Sequence, residues 1–148
     1  MNNSKKTAIK RNKLSAPTRW LHENEKLSVI MLDYGCGRGD DAQLLSNLYG
    51  YYCTGYDPNW DEHNEPDLLD YHYEVVVCNY VLNVLNPDER QKVLDSLAKL
   101  NADAVYVTVR RDLKKEHTKT SIGTEQWLVY LDYPVVKQTS GFCIYKLR

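Results

Sequence analysis

Between Leu32 and Asp41 the chain reads LDYGCGRGDD, with three glycines alternating with Cys36 and Arg38, one acid before them and two after. Glycines at this spacing let a backbone turn sharply and approach a ligand, because a residue without Cβ leaves room. Loops of this kind hold phosphates, dinucleotides or other nucleoside ligands. A P-loop needs four residues between its glycines and then Lys with Ser or Thr, which are missing here. The dinucleotide pattern G-x-G-x-x-G has Asp40 in place of its third glycine, and Asp33 and Asp41 would set negative charge beside a pyrophosphate. The acids suit a ligand that has no phosphate and carries positive charge, such as S-adenosylmethionine with its sulfonium and amine. Asp33 then meets the amine, directly or through water, while Gly35, Cys36, Gly37 and Gly39 bring backbone close to the methionine and ribose portions. Asp57, ending the next strand-like run, can accept both ribose hydroxyls.

Methyl transfer is an in-line displacement at an already activated carbon, so alignment and exclusion of water matter more than a strong catalytic signature. Enzymes that methylate exocyclic amines of bases carry Asn or Asp, two prolines and an aromatic after a central strand. The corresponding stretch here is CNYVLN, with Asn79 and Tyr80 but no prolines. Tyr80 could stack on adenine or on the substrate, and Asn79 or Asn83 could accept a hydrogen bond from an incoming nucleophile. Equally, Asn79 could cap the following helix while Tyr80 packs, and for Asn83 the local structural role is the default. Cys78 lies inside the strand-like run and reads as core. His22, His63, His72 and His117 show no metal spacing, and only His117, in a basic loop, is placed as a candidate base.

The elements that must position these residues follow from apolar spacing. LSVIMLDYG (27–35) is an apolar run that suits a buried parallel strand. Ala42, Leu44, Leu45 and Leu48 then suit an amphipathic helix with Asp40 and Asp41 in its first turn. A strand is expected at 51–57, and the acidic stretch after it reads as a long loop, with a short strand or turn near Leu68 and Leu69. Another buried strand starts at Tyr73. Asn86, Pro87 and Glu89 mark a helix start with a capping box, and Val93, Leu94, Leu97 and Leu100 form its apolar face. Residues 102–110 read as a strand and 111–126 as a loop over the site, with Thr124, Gln126 and Trp127 as candidate contacts. WLVYLDY and FCIYKLR read as a terminal antiparallel pair, and Trp127, opening the first of them, could equally be core. The PTRWLHE stretch (17–23) predicts a short helix across the sheet. This order predicts an α/β, Rossmann-like, doubly wound and mostly parallel sheet with a C-terminal hairpin. Its ligand belongs beyond the carboxyl ends of the strands, where the glycines, Asp57, Asn79 and Arg110 are expected to converge.

The 148 residues predict a basic tail over 1–15 and a single domain over 16–148. No run nears the roughly 20 apolar residues of a membrane span, and no secretory leader is evident. The four cysteines lack C-x-x-C spacing, which predicts reduced thiols, no metal and a cytoplasmic protein. Charge is uneven despite a net of −1: Lys5, Lys6, Lys10, Arg11, Lys13 and Arg19 stand without an acid in residues 1–20. A second basic cluster, Arg110, Arg111, Lys114 and Lys115, follows a strand. Such clusters are either solvated or attract nucleic acid.

VIMLDYGCGRG followed by CTGYDP resembles the class I S-adenosylmethionine-dependent methyltransferases, whose first motifs are an acid-x-Gly-x-Gly-x-Gly loop and an acid ending the second strand. More narrowly, DYGCGRGDD, GYDP and NYVLNVLNPDER, with TAIKRNKLSAP and GTEQW, are similar to methyltransferase-like proteins associated with DNA phosphorothioation. The resemblance runs from Thr7 to Trp127. It implies S-adenosylmethionine held by Asp33, Gly35, Gly37, Gly39 and Asp57, with Pro58 and Asn59 near the adenine and Asn79 as a further cofactor contact, and a transferase acting on an acceptor that could be DNA or RNA. The alternatives are a small-molecule methyltransferase and a non-catalytic, cofactor-binding regulatory subunit.

Overall fold

The computed structural model describes residues 11–148, so the Lys5, Lys6 and Lys10 part of the basic tail lies outside the described residues. Strands β1 (Ile30–Tyr34), β2 (Tyr52–Tyr56), β3 (His72–Asn79) and β4 (Asn101–Arg110) are parallel neighbours in the order β2-β1-β3-β4. Valines 75–77 with Cys78, and residues 105–109, are buried without interruption. Parallel strands covered on both faces require such continuous apolar runs rather than alternation.

The helices supply the two covers. On one face, α1 (Ala16–Glu23) and α2 (Asp40–Tyr49) place Leu21 and Leu45 against Met31, Val75, Val77 and Ile144. On the other, α3 (Pro87–Lys99) sets Leu97 against Leu32, Val76, Cys78 and Val107. The helix start expected at Asn86 is present: its side chain accepts from Glu89 N at 2.9 Å, and Glu89 Oε1 accepts from Asn86 N at 3.4 Å. Asn79 does not cap a helix.

The C-terminal part departs from the sequence reading. The sheet continues β4-β8-β7, both pairs antiparallel, with β7 at Val135–Gln138 and β8 at Phe142–Lys146. The first hairpin strand therefore starts after Pro134 rather than at Trp127. Trp127 instead closes a separate ribbon, β5 (His117–Lys119) paired with β6 (Glu125–Trp127), inside the stretch expected to be plain loop. After Trp127, Val129 and Leu131 serve the core from outside the sheet: Val129 is buried, and its carbonyl accepts from Arg111 Nη1 at 2.7 Å. The acidic stretch after β2 holds two short 3-10 turns, Asp61–His63 and Pro66–Asp70. No helix among the described residues is long and apolar enough to cross a membrane.

Candidate active site

The site is built where β1 and β2 end. Gly35, at φ 78°, occupies a backbone region that favours glycine, and a Cβ there would run into Val81. The turn is closed by Gly35 N and Cys36 N, which both donate to Tyr56 O at 2.7 and 3.1 Å. A cleft of about 360 Å³ opens beyond the strand ends, lined by Asp33, Gly35, Cys36, Gly37, Asp57, Pro58, Asn59, Asn79 and Tyr80. Gly39 is the one expected cofactor residue that does not line it. It precedes α2 at φ 81°, and a Cβ there would lie 2.7 Å from His63 Nε2, so the ring of His63 leaves no room for a side chain at this position.

Two buried carboxylates give the cleft its character. Asp57 accepts from Gly37 N at 2.8 Å and Asn59 N at 2.9 Å, one bond to each oxygen. A carboxylate oxygen accepts two bonds, so capacity for two hydroxyl donors remains. Asp33 is 5% exposed. Burial first, then the charges of Asp41 and Asp57, push its carboxyl well above the usual range, with Arg11 opposing. An anionic ligand would add to this repulsion and a cationic one relieves it, so the donor set fits a sulfonium and ammonium ligand and not a pyrophosphate.

Sequence reasoning missed the part played by residues 11–18. Arg11 N donates to Asp40 Oδ2 at 2.7 Å. Asp41 accepts from Ser15 N at 2.8 Å, Ser15 Oγ at 2.5 Å and Thr18 Oγ1 at 2.8 Å. These bonds tie the segment before α1 to the first turn of α2, and Arg11 and Ser15 line the cleft. The pair of acids after the glycines was legible as a helix start, but nothing in the spacing announced its partners.

A second cavity of about 340 Å³ adjoins the cleft, and Arg11, Tyr80 and Val84 line both. Tyr80 has φ 60°, a left-handed conformation that a non-glycine residue adopts only under constraint, and its N–H is held by Thr108 O at 2.9 Å. Burial pushes its phenol up, so it can stack or donate but is no base near neutral pH. Asn83 also lines this cavity, with its Nδ2 donating to Gln126 Oε1 at 2.8 Å and its buried Oδ1 without a partner among the described residues. The local structural role expected of Asn83 thus gives way to a long-range contact with Gln126 of β6. Arg110 does not converge on the glycines. It lies in the second cavity, bonded to Asp112 at 2.8 and 3.0 Å.

The remaining candidates fall away from both cavities. His117 stacks on Trp127 with ring centroids 4.7 Å apart and faces Glu125 at 3.3 Å. Thr124 pairs with Thr120 in the ribbon's turn, and Trp127 packs on the core. Burial pushes the Cys36, Cys53 and Cys78 thiols up, which leaves no activated thiolate among these three. Among the described residues, no group of His, Cys, Asp and Glu could hold a metal ion.

A model of the methyltransferase domain matches residues 7–145, and the chain belongs to that family. Its fold is the Rossmann-like fold of the class I, S-adenosylmethionine-dependent methyltransferases. Among solved structures, magnesium protoporphyrin IX methyltransferase from Synechocystis PCC 6803 with bound S-adenosylmethionine is 15% identical, with a TM-score of 0.52 over 88% of this chain and 75% of that one. The N-terminal domain of EvdMO1, solved in the presence of S-adenosylhomocysteine and D-fucose, is 11% identical, with a TM-score of 0.54 over 94% and 83%. The DhpI–S-adenosylhomocysteine complex is 15% identical, with a TM-score of 0.52 over 88% and 82%. No curated protein matches the chain.

Proposed function

We propose that the glycine-lined cleft binds S-adenosylmethionine and that the adjoining cavity presents a planar methyl acceptor, with a nucleic-acid base favoured. The observation that carries the first half is Asp33, a carboxyl at the mouth of a glycine turn, held above its usual range first by burial and then by the charges of Asp41 and Asp57. When bound, the cofactor supplies a methyl group that is already activated for displacement. Asp33, ionised opposite a cationic ligand, holds the amino end, and Asp57 accepts from the ribose hydroxyls. Tyr80, shared by the two cavities, offers a face on which a planar acceptor stacks beside the cleft. The Asn83 amide accepts a hydrogen bond from the acceptor's N–H or O–H and keeps the attacking atom oriented.

Arg11 and Arg110 against Asp112 give the second cavity's lining a net positive charge, which suits an acceptor carrying phosphate. The resemblance of GTEQW and NYVLNVLNPDER to phosphorothioation-associated proteins leans the same way. A small-molecule acceptor is the second reading, because a cavity of about 340 Å³ is the size of a metabolite site. The test is incubation with radiolabelled S-adenosylmethionine and separate pools of DNA, RNA, protein and metabolites. Label in DNA or RNA supports the favoured reading, and label in metabolites replaces it. Cofactor binding without label in any pool would make the chain a binding subunit.

A further inference from the structure

The contacts between α1 and the end of β3 orient one amide. Asn79 is two residues beyond Val77, which pairs with Asp33 of β1, so Asn79 and Asp33 rise from the same face of neighbouring strands. Asn79 Nδ2 donates to Thr18 Oγ1 at 2.8 Å. Thr18 is wholly buried and has a single hydroxyl proton, which goes to Asp41 Oδ2 at 2.8 Å. Asp41 takes two further donors from Ser15, as an ionised carboxylate that only accepts does. Thr18 Oγ1 can therefore offer Asn79 only a lone pair, and only the NH₂ end of the amide can meet it. Asn79 Oδ1 is left over. It is buried, it has no partner among the described residues, and its residue lines the cleft.

We propose that Thr18, held by Asp41, is a positioning residue that turns the Asn79 amide so that its Oδ1 accepts a hydrogen bond from the amino group of bound S-adenosylmethionine. Strand order assigns that donor. The ribose partner Asp57 follows β2, Asp33 belongs to β1 and Asn79 ends β3, with β1 between the other two. A ligand with its ribose at Asp57 and extending across β1 brings its amino-acid arm, not its adenine, to Asn79. The inference rests on the cofactor reading above and concerns only the arm of the ligand.

The test is calorimetric titration of the full chain with two probes, S-adenosylhomocysteine and 5′-methylthioadenosine, which lacks the amino-acid arm. Thr18→Val is expected to weaken S-adenosylhomocysteine about tenfold, the scale of one hydrogen bond to a charged group. Its affinity for 5′-methylthioadenosine stays the same, and Thr18→Ser, which keeps the hydroxyl, binds both probes as the native chain does. Equal weakening of both probes by Thr18→Val, no weakening of either, or a Thr18→Ser that behaves like Thr18→Val overturns the proposal. Asn79→Ala removes the oxygen itself and gives the same arm-specific loss; an unchanged ratio of the two affinities in that variant also overturns it, even if Thr18→Val fails to fold. Failure of the native chain to bind either probe would instead remove the cofactor reading beneath it.

Discussion

The two cavities on this sheet edge are made differently. The cleft over β1 and β2 takes about half its lining from two short stretches, 33–41 and 57–59, where glycine turns and the parallel register set its shape. The adjoining cavity takes side chains from Arg11, Tyr80, Asn83, Arg110, Asp112 and Gln126, brought together from four stretches of chain. A site that rests on such turns tolerates few residue types at them, because the turn geometry dictates them. A side-chain-built site can change its lining without changing the fold, which suits a part of the molecule that selects an acceptor.

The contrast predicts effects confined to one side. The largest is Asp57→Ala, which removes two hydroxyl acceptors and leaves the N–H groups of Gly37 and Asn59 unpartnered. Affinity for S-adenosylhomocysteine should fall by about 1.5–3 kcal/mol in calorimetry. An unchanged affinity would remove the ribose from this position.

Asp33→Asn should lower that affinity by a similar or smaller amount, while stabilising the ligand-free chain. The sign follows from the raised carboxyl: above the ordinary carboxylate pKa the unfolded chain gives up this proton first. Stability of the ligand-free protein is therefore lost as pH rises from the unfolded toward the folded pKa of Asp33. Binding of the cationic ligand S-adenosylmethionine should tighten over the same interval. Denaturant titrations across pH on both chains check this, and a native-like pH slope in Asp33→Asn would assign it to other groups.

Tyr80→Gly should release about 1–2 kcal/mol of left-handed backbone strain, offset in part by lost packing. It should retain S-adenosylhomocysteine affinity and lose methyl transfer to the identified acceptor. Loss of cofactor affinity would move Tyr80 to the other side of the comparison. Gln126→Ala should act least, at about 0.5–1.5 kcal/mol of stability for one hydrogen bond to Asn83. Thermal denaturation and cofactor titration together check that this variant perturbs only the acceptor side.

The parts legible in the sequence were those with short-range causes. The glycine turn, the acid after β2, the valine strand and the Asn86–Glu89 capping box each depend on residues within a few positions of one another. The misreadings had long-range causes. Trp127–Tyr133 has the apolar content of a strand, but the sheet position beside β8 goes to a segment starting after Pro134. Gly39 reads like Gly35 and Gly37, and only the structure sets it against His63, from the 3-10 turn after β2, outside the cleft lining. Arg110 looked like a partner for the glycines until Asp112 bound it on the far side of Tyr80.

By itself the sequence determined the α/β order, the family and the cofactor. Propensity, apolar period and a glycine turn act through neighbouring residues, and buried parallel strands leave little choice about where such a turn must lie. Only the tertiary structure decided that residues 11–18 strap the cleft, that Asn79 turns its NH₂ to Thr18, and that Asn83 and Gln126 share a second cavity. Those contacts span 61 and 43 residues, and single hydrogen bonds at such separations leave no periodic trace in a sequence.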